Sequence, residues 1–184
     1  MLKKVAGFTL IELLVAITIL AVVSGVGYTT YSKAQIASRD AKRKQDLRSI
    51  ATALALFKQQ NSRYPCSAGN VWEFSTTSGD WLVDKCNSNQ SISPDYINST
   101  PADPLENNTT DWLKHGYRYW SEATSGWGSC AAKQYYFLAT QLENDKDQDS
   151  FAHKPPNGCG ENPITTGSMG PGLPGPNTYL IVGE

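Results

Sequence analysis

Hydrophobic positions fall along this chain in two different patterns. Over residues 8–28 they are continuous: FTLIELLVAITILAVVSGVGY is apolar apart from small hydroxyl and glycine positions and one carboxylate, Glu12. A run of about 21 residues makes a helix of roughly 30 Å, enough to cross the hydrocarbon of a bilayer. Further on they are periodic. Leu47, Ile50, Leu54 and Phe57 recur at spacings of three and four, the mark of one apolar helical face, and Ala51, Ala53 and Ala55 add helix propensity. No proline falls between Phe8 and Ser62, so the two patterns predict one helix over residues 8–62, about 80 Å long. Gly25 and Gly27 are its local weak points, each costing roughly 1 kcal/mol relative to Ala. Asn61 can cap its end, and Pro65 cannot continue it and biases Tyr64 to extended geometry. The second half of such a helix cannot bury its apolar face alone. It calls for a sheet.

The strand candidates come late. Residues 117–121 alternate weakly, 131–142 carry Tyr135, Tyr136, Phe137 and Leu138, and 178–182 form a final apolar run. Residues 66–96 show no clear period and read as a loop, with or without a short helix in it. Residues 155–177 are too dense in Gly and Pro for regular structure. The fold class expected is α+β: a long N-terminal helix packed on a small antiparallel sheet.

Glu12 changes the meaning of the first run. A carboxylate in a membrane segment is expensive, on the order of 2.5–3.5 kcal/mol near the middle of a span and less toward its end, and by default it marks function. What precedes it suggests a partner. Residues 1–7 form a short basic leader with Lys3 and Lys4, ending in Gly7. An ordinary secretory signal is cut after its apolar run, whereas here the small residue lies before it. A cut between Gly7 and Phe8 would keep the helix and free an amine on Phe8, four residues from Glu12 and on the same helical face.

Gly7-Phe8-Thr9-Leu10-Ile11-Glu12-Leu13-Leu14-Val15 closely resembles the class III leader and mature start of type IV pilins and type II secretion pseudopilins. The resemblance implies that a prepilin peptidase cuts after Gly7 and that the new terminus at Phe8 is methylated. It also implies that Glu12 pairs with the terminal amine of a neighbouring subunit during assembly on an inner-membrane platform. The domain plan is then a leader (1–7), a long helix (8–62, with 8–28 in the membrane or filament core) and a globular head (63–184). The exit Asn61-Ser62-Arg63-Tyr64-Pro65 and the Pro94-Asp95-Tyr96 and Asp103-Pro104 landmarks are similar to those of the pseudopilin branch. One departure is the missing mid-helix proline that many family members carry.

Charge sharpens this picture. The net charge is −1 over 184 residues, but residues 33–63 hold eight basic side chains against Asp40 and Asp46, while residues 64–184 hold six basic and 14 acidic ones. An acidic head disfavours nucleic acid as a partner. The basic run on the helix is expected to be a solvated or inter-subunit face. Positive charge near the membrane ends would by itself favour the opposite orientation. The leader and the cysteines, which suit an oxidising compartment, place the N-terminus in the cytoplasm and the head outside. The expected localisation is the cytoplasmic membrane first, then a surface or periplasm-spanning filament.

Four cysteines, Cys66, Cys86, Cys130 and Cys159, suit two disulfides with three connectivities. The sequential pairing is favoured because it ties down both loop-rich stretches. They lack any C-x-x-C pair, which argues against zinc. Asp145, Asp147 and Asp149 alternate like the first half of a calcium loop, but Ser150 stands where Gly is needed and Pro156 where the bidentate Glu should be. This is no EF-hand. An irregular calcium site, as the resemblance to some pseudopilin heads implies, and a solvated acidic loop both remain open. Five tryptophans suit a small core or a ligand groove, His115 and His153 are isolated, and no catalytic constellation is visible. Two functions compete: a filament subunit with no enzyme activity, whose partners are identical or related pilin subunits, and a single-pass membrane-anchored module binding glycan, peptide or calcium.

Overall fold

The structure is a computed structural model that describes residues 7–67, 73–75, 81–87, 90–105, 116–121, 133–150 and 177–183. The chain divides into two compact units, Met1–Ser38 and Arg39–Glu184. One helix, α1 (Leu10–Asn61, 52 residues), runs through both.

The start of α1 follows from its first residues. The Thr9 hydroxyl accepts the Glu12 N–H (3.3 Å), and the Glu12 carboxylate accepts the Thr9 N–H (2.9 Å) and hydroxyl (2.7 Å). This is a reciprocal capping box, which satisfies amide donors the helix cannot satisfy itself. The other end closes at Asn61. Ser62 takes a left-handed backbone (φ 56°), and its N–H bonds the Lys58 carbonyl at 2.7 Å, an αL stop. The Asn61 side chain bonds the Phe57 carbonyl (3.0 Å). Asn61 therefore helps the cap while Ser62 makes the turn.

In the first unit α1 is bare. Leu10 is 82% exposed, Ile11 69% and Val22 69%. In the second unit the predicted stripe of Leu47, Ile50, Leu54 and Phe57 is buried to 1% exposure or less. It packs with Tyr117, Tyr119, Tyr136 and Leu138 of the sheet.

Among the described residues the sheet has four antiparallel strands in the order β1-β4-β5-β6: β1 (Glu73–Phe74), β4 (Tyr117–Trp120), β5 (Tyr136–Gln141) and β6 (Thr178–Gly183). A separate pair, β2 (Val83–Asp84) and β3 (Gln90–Ser91), is also antiparallel. The three long-strand expectations fall on β4, β5 and β6. Residues 66–96, expected to be a loop, contribute three two-residue strands among their described residues, too short to leave a period. On β4 and β5, Tyr117, Tyr119, Tyr136 and Leu138 join the helix-side core, and Trp120 and Phe137 stack at 5.3 Å. That alternation is the period of two of a strand. Residues 136–140 are all buried, so β5 is the centre of the head. The Tyr136 ring lies over Gly183, its partner across the β5–β6 pair, where any Cβ would enter the ring.

Candidate functional site

The first site is the N-terminal end of α1. Gly7 has open space where a Cβ would stand, and Phe8 is 89% exposed. Glu12 is exposed as well. An open groove of about 410 Å³ runs along one side of the helix, lined by Phe8, Ile11, Glu12, Val15, Ala16 and Ile19, positions that share one helical face. A carboxylate set in an apolar groove suits a partner that brings both a cation and apolar surface. The bonds to Thr9 all use one carboxylate oxygen, Oε2. Thr9 was missed in the sequence reading. Its signal was Thr-x-x-Glu ahead of an apolar run.

The second constellation is a charged cluster where α1 meets the acidic loop after β5. Arg43 is 0% exposed. Its Nε and Nη2 donate to the two oxygens of Asp103 (2.7 and 3.0 Å), and its Nη1 donates to Asp40 (2.8 Å) and Glu143 (2.7 Å). Arg39 grips Glu143 in a fork at 2.7 and 2.6 Å. Asp40 in turn accepts the N–H groups of Glu143 and Asn144. A bidentate guanidinium–carboxylate pair adds geometric specificity to charge, so this cluster fixes where the loop sits on the helix. Burial opposes the Arg43 charge, but Asp103, Glu143 and Asp40 outweigh it and raise its pKa. The bonds from Arg39, with those from Arg43, hold the Glu143 carboxyl below the usual carboxylate range. The expectation of a solvated or inter-subunit basic face holds for Lys33, Lys42 and Arg48, which are exposed, and is corrected for three of the others. Arg39, Arg43 and Lys44 are consumed by acids of the same chain, because their turn of α1 passes under the loop. Asp40–Arg43 was visible as an i,i+3 pair, and Asp103-Pro104 as a landmark, but nothing in the sequence paired Asp103 or Glu143 with Arg43, from which they lie 60 and 100 residues away.

The candidate calcium ligands lie beside this cluster. Lys44 Nζ donates to Asp147 Oδ1 (2.6 Å) and Asp149 Oδ2 (2.8 Å), so an ammonium of the chain occupies the position between those carboxylates. Asp145, Asp147 and Asp149 do not converge on one point. Among the described residues, the one group of three metal-type donors within 4.8 Å of one another is Cys66, Asp84 and Cys86, and its two sulfurs are joined to each other.

That disulfide, Cys66–Cys86, spans a Cα–Cα distance of 5.5 Å and is one half of the sequential pairing. Cys130 and Cys159 lie outside the described residues, as do Trp72, Trp112, Trp127, His115 and His153. Trp81 is a core residue, 6% exposed, its indole N–H bonded to the Pro101 carbonyl at 3.1 Å.

By length and composition α1 can cross a membrane, and none of its most apolar window is buried. Residues 2–28 match the family model described as the prokaryotic N-terminal methylation motif. No curated protein and no solved structure matches the chain. The motif family is structural rather than enzymatic. With the leader glycine, the exposed aromatic and the capped Glu12 in their places, residues 2–28 identify the chain as bearing the class III prepilin leader of type IV pilins and pseudopilins.

Proposed function

We propose that this chain is a structural subunit of a type IV pilus or of a pseudopilus-like secretion filament. Prepilin peptidase cuts it between Gly7 and Phe8, the Phe8 amine is methylated, and subunits leave the cytoplasmic membrane for a helical fibre through residues 8–28. The head lies outside the cytoplasm, and the chain carries out no catalysis. The observation that carries the reading is the methylation motif over residues 2–28, set on a helix whose apolar side chains are bare. Such a surface needs a non-aqueous surrounding, which lipid supplies before assembly and neighbouring helices after it. A head-to-tail contact that does not close into a ring makes a filament. Glu12 pairs with the Phe8 amine of the next subunit. Removing one partner strands a buried charge at a cost of roughly 3–5 kcal/mol.

The test is Glu12→Leu. The variant is expected to be cut and to stay in the membrane fraction while the sheared filament fraction is lost. Filaments at wild-type yield would refute the role of Glu12 and favour a membrane-anchored module.

A further inference from the structure

The two sulfurs of Cys66–Cys86 are not equivalent. Cys66 is 0% exposed, whereas Cys86 is exposed. The Arg63 guanidinium donates to Cys66 Sγ at 3.7 Å. The same guanidinium is anchored by Asp84, which is itself 0% exposed, through contacts of 3.1 and 2.6 Å. One oxygen of Asp84 also accepts the backbone N–H groups of both cysteines, at 3.0 Å from Cys66 and 3.2 Å from Cys86. Asp84 holds the two cysteine backbones through their amides rather than through their sulfurs. Burial disfavours the Asp84 charge, but Arg63 and the two amides outweigh it and keep the carboxyl below its usual range.

From this asymmetry we infer that Cys86 is the entry point for thiol–disulfide exchange and Cys66 the resolving sulfur, with Arg63 a positioning residue that favours the Cys66 thiolate. In the oxidising direction, the exposed Cys86 thiolate attacks a small-molecule disulfide RSSR. A Cys86–SR bond forms and RS⁻ leaves. The Cys66 thiolate, beside Arg63, then attacks Cys86 Sγ and expels the second RS⁻. Two protein thiols are oxidised, one RSSR is reduced to two RSH, and the two thiol protons pass to solvent and onto the departing thiolates. Reduction runs the same path backward. A small thiolate reaches Cys86, the only one of the two sulfurs open to it, and Cys66 leaves as a thiolate. Exchange rates depend on which sulfur is attacked and rise as the leaving thiol's pKa falls, and a neighbouring guanidinium lowers a thiol pKa. The metal-type convergence of Cys66, Asp84 and Cys86 is explained by the same arrangement, since the carboxylate serves Arg63 and the amides.

The test uses the intact, detergent-solubilised chain with reduced glutathione as the probe. The reaction is acid-quenched, the free thiols are alkylated, and the modified peptides are located by tandem mass spectrometry. Glutathione is expected on Cys86, with the alkyl group on Cys66. Glutathione mainly on Cys66, or equally on both, would overturn the assignment. Peptide-level reading separates these sulfurs from Cys130 and Cys159. In a second arm, Arg63→Gln is expected to slow formation of the mixed disulfide by at least about threefold, with Arg63→Lys restoring the rate. A rate untouched by Arg63→Gln in a folded protein would remove Arg63 from the mechanism. The outcome does not depend on cleavage at Gly7 or on filament formation, so it stands or falls apart from the proposed function.

Discussion

Residues 10–38 and 39–61 belong to one helix, yet they solve opposite problems. The first half exposes its large apolar side chains, with Leu13, Val15 and Leu20 between 48% and 63% exposed. The second half exposes almost none, and turns Leu47, Ile50, Leu54 and Phe57 into the head. Charge follows the same division. Glu12, the single carboxylate of the first half, is satisfied among the described residues by its neighbour Thr9. In the second half Arg39, Arg43 and Lys44 find acids 60 to 105 residues away, beside the local pairs Asp40–Arg43 and Lys42–Asp46. The second half is completed within the chain. The first leaves its apolar side chains bare among the described residues, and the proposed function rests on that difference.

The comparison breaks most directly at Arg43. Replacing it by Met removes the guanidinium from Asp103, Asp40 and Glu143 and leaves carboxylates in a dry site, at a cost of roughly 3–5 kcal/mol. Chemical denaturation of the head should register the loss, and an unchanged midpoint would show that the cluster is not holding the loop. Leu54→Ala comes next. A fully buried leucine loses about 2–5 kcal/mol on truncation, read by the same measurement. Acidity probes the cluster more gently. Arg39 and Arg43 hold the Glu143 carboxyl below its usual value, so its contribution is complete above the unfolded pKa of about 4.3 and is lost as pH falls toward the folded one. The melting temperature should therefore drop below about pH 4.5, and Glu143→Gln should flatten that limb. An acid limb identical in the variant would clear Glu143. The smallest effect is expected from Leu14→Ala, at the bare end of the same helix. Head stability should move by less than about 0.5 kcal/mol, because Leu14 is 52% exposed. A large loss there would mean that the two halves are not as different as their burial.

What could be read from the sequence divides along the same line. The continuous apolar run, the basic leader and the Gly-Phe-Thr-Leu-Ile-Glu order were visible because their chemistry is local. So was the 47-50-54-57 stripe, whose spacing is that of a helix face. The central strand was visible because Tyr136, Phe137 and Leu138 are buried on both sides and so form an unbroken apolar stretch. The two-residue strands β1, β2 and β3 were not, since two residues carry no period. The charge cluster was misread for a different reason. Arg43 and Asp103 are far apart in the chain, and a basic run on a helix looks the same whether it faces solvent or a loop of its own head. Lys44 shows this most clearly, since the sequence marks Asp147 and Asp149 as cation ligands without marking a lysine as the cation they hold.

The central claim is that the first half of α1 is processed for assembly, and one measurement addresses it directly. The chain would be recovered from the cell envelope with the peptidase present, then subjected to N-terminal sequencing and intact-mass determination. A chain that starts at Phe8 and carries one methyl group on its amine is the expected result. A chain that still starts at Met1, unmethylated, would contradict it, and the bare helix would then be a membrane anchor and nothing more.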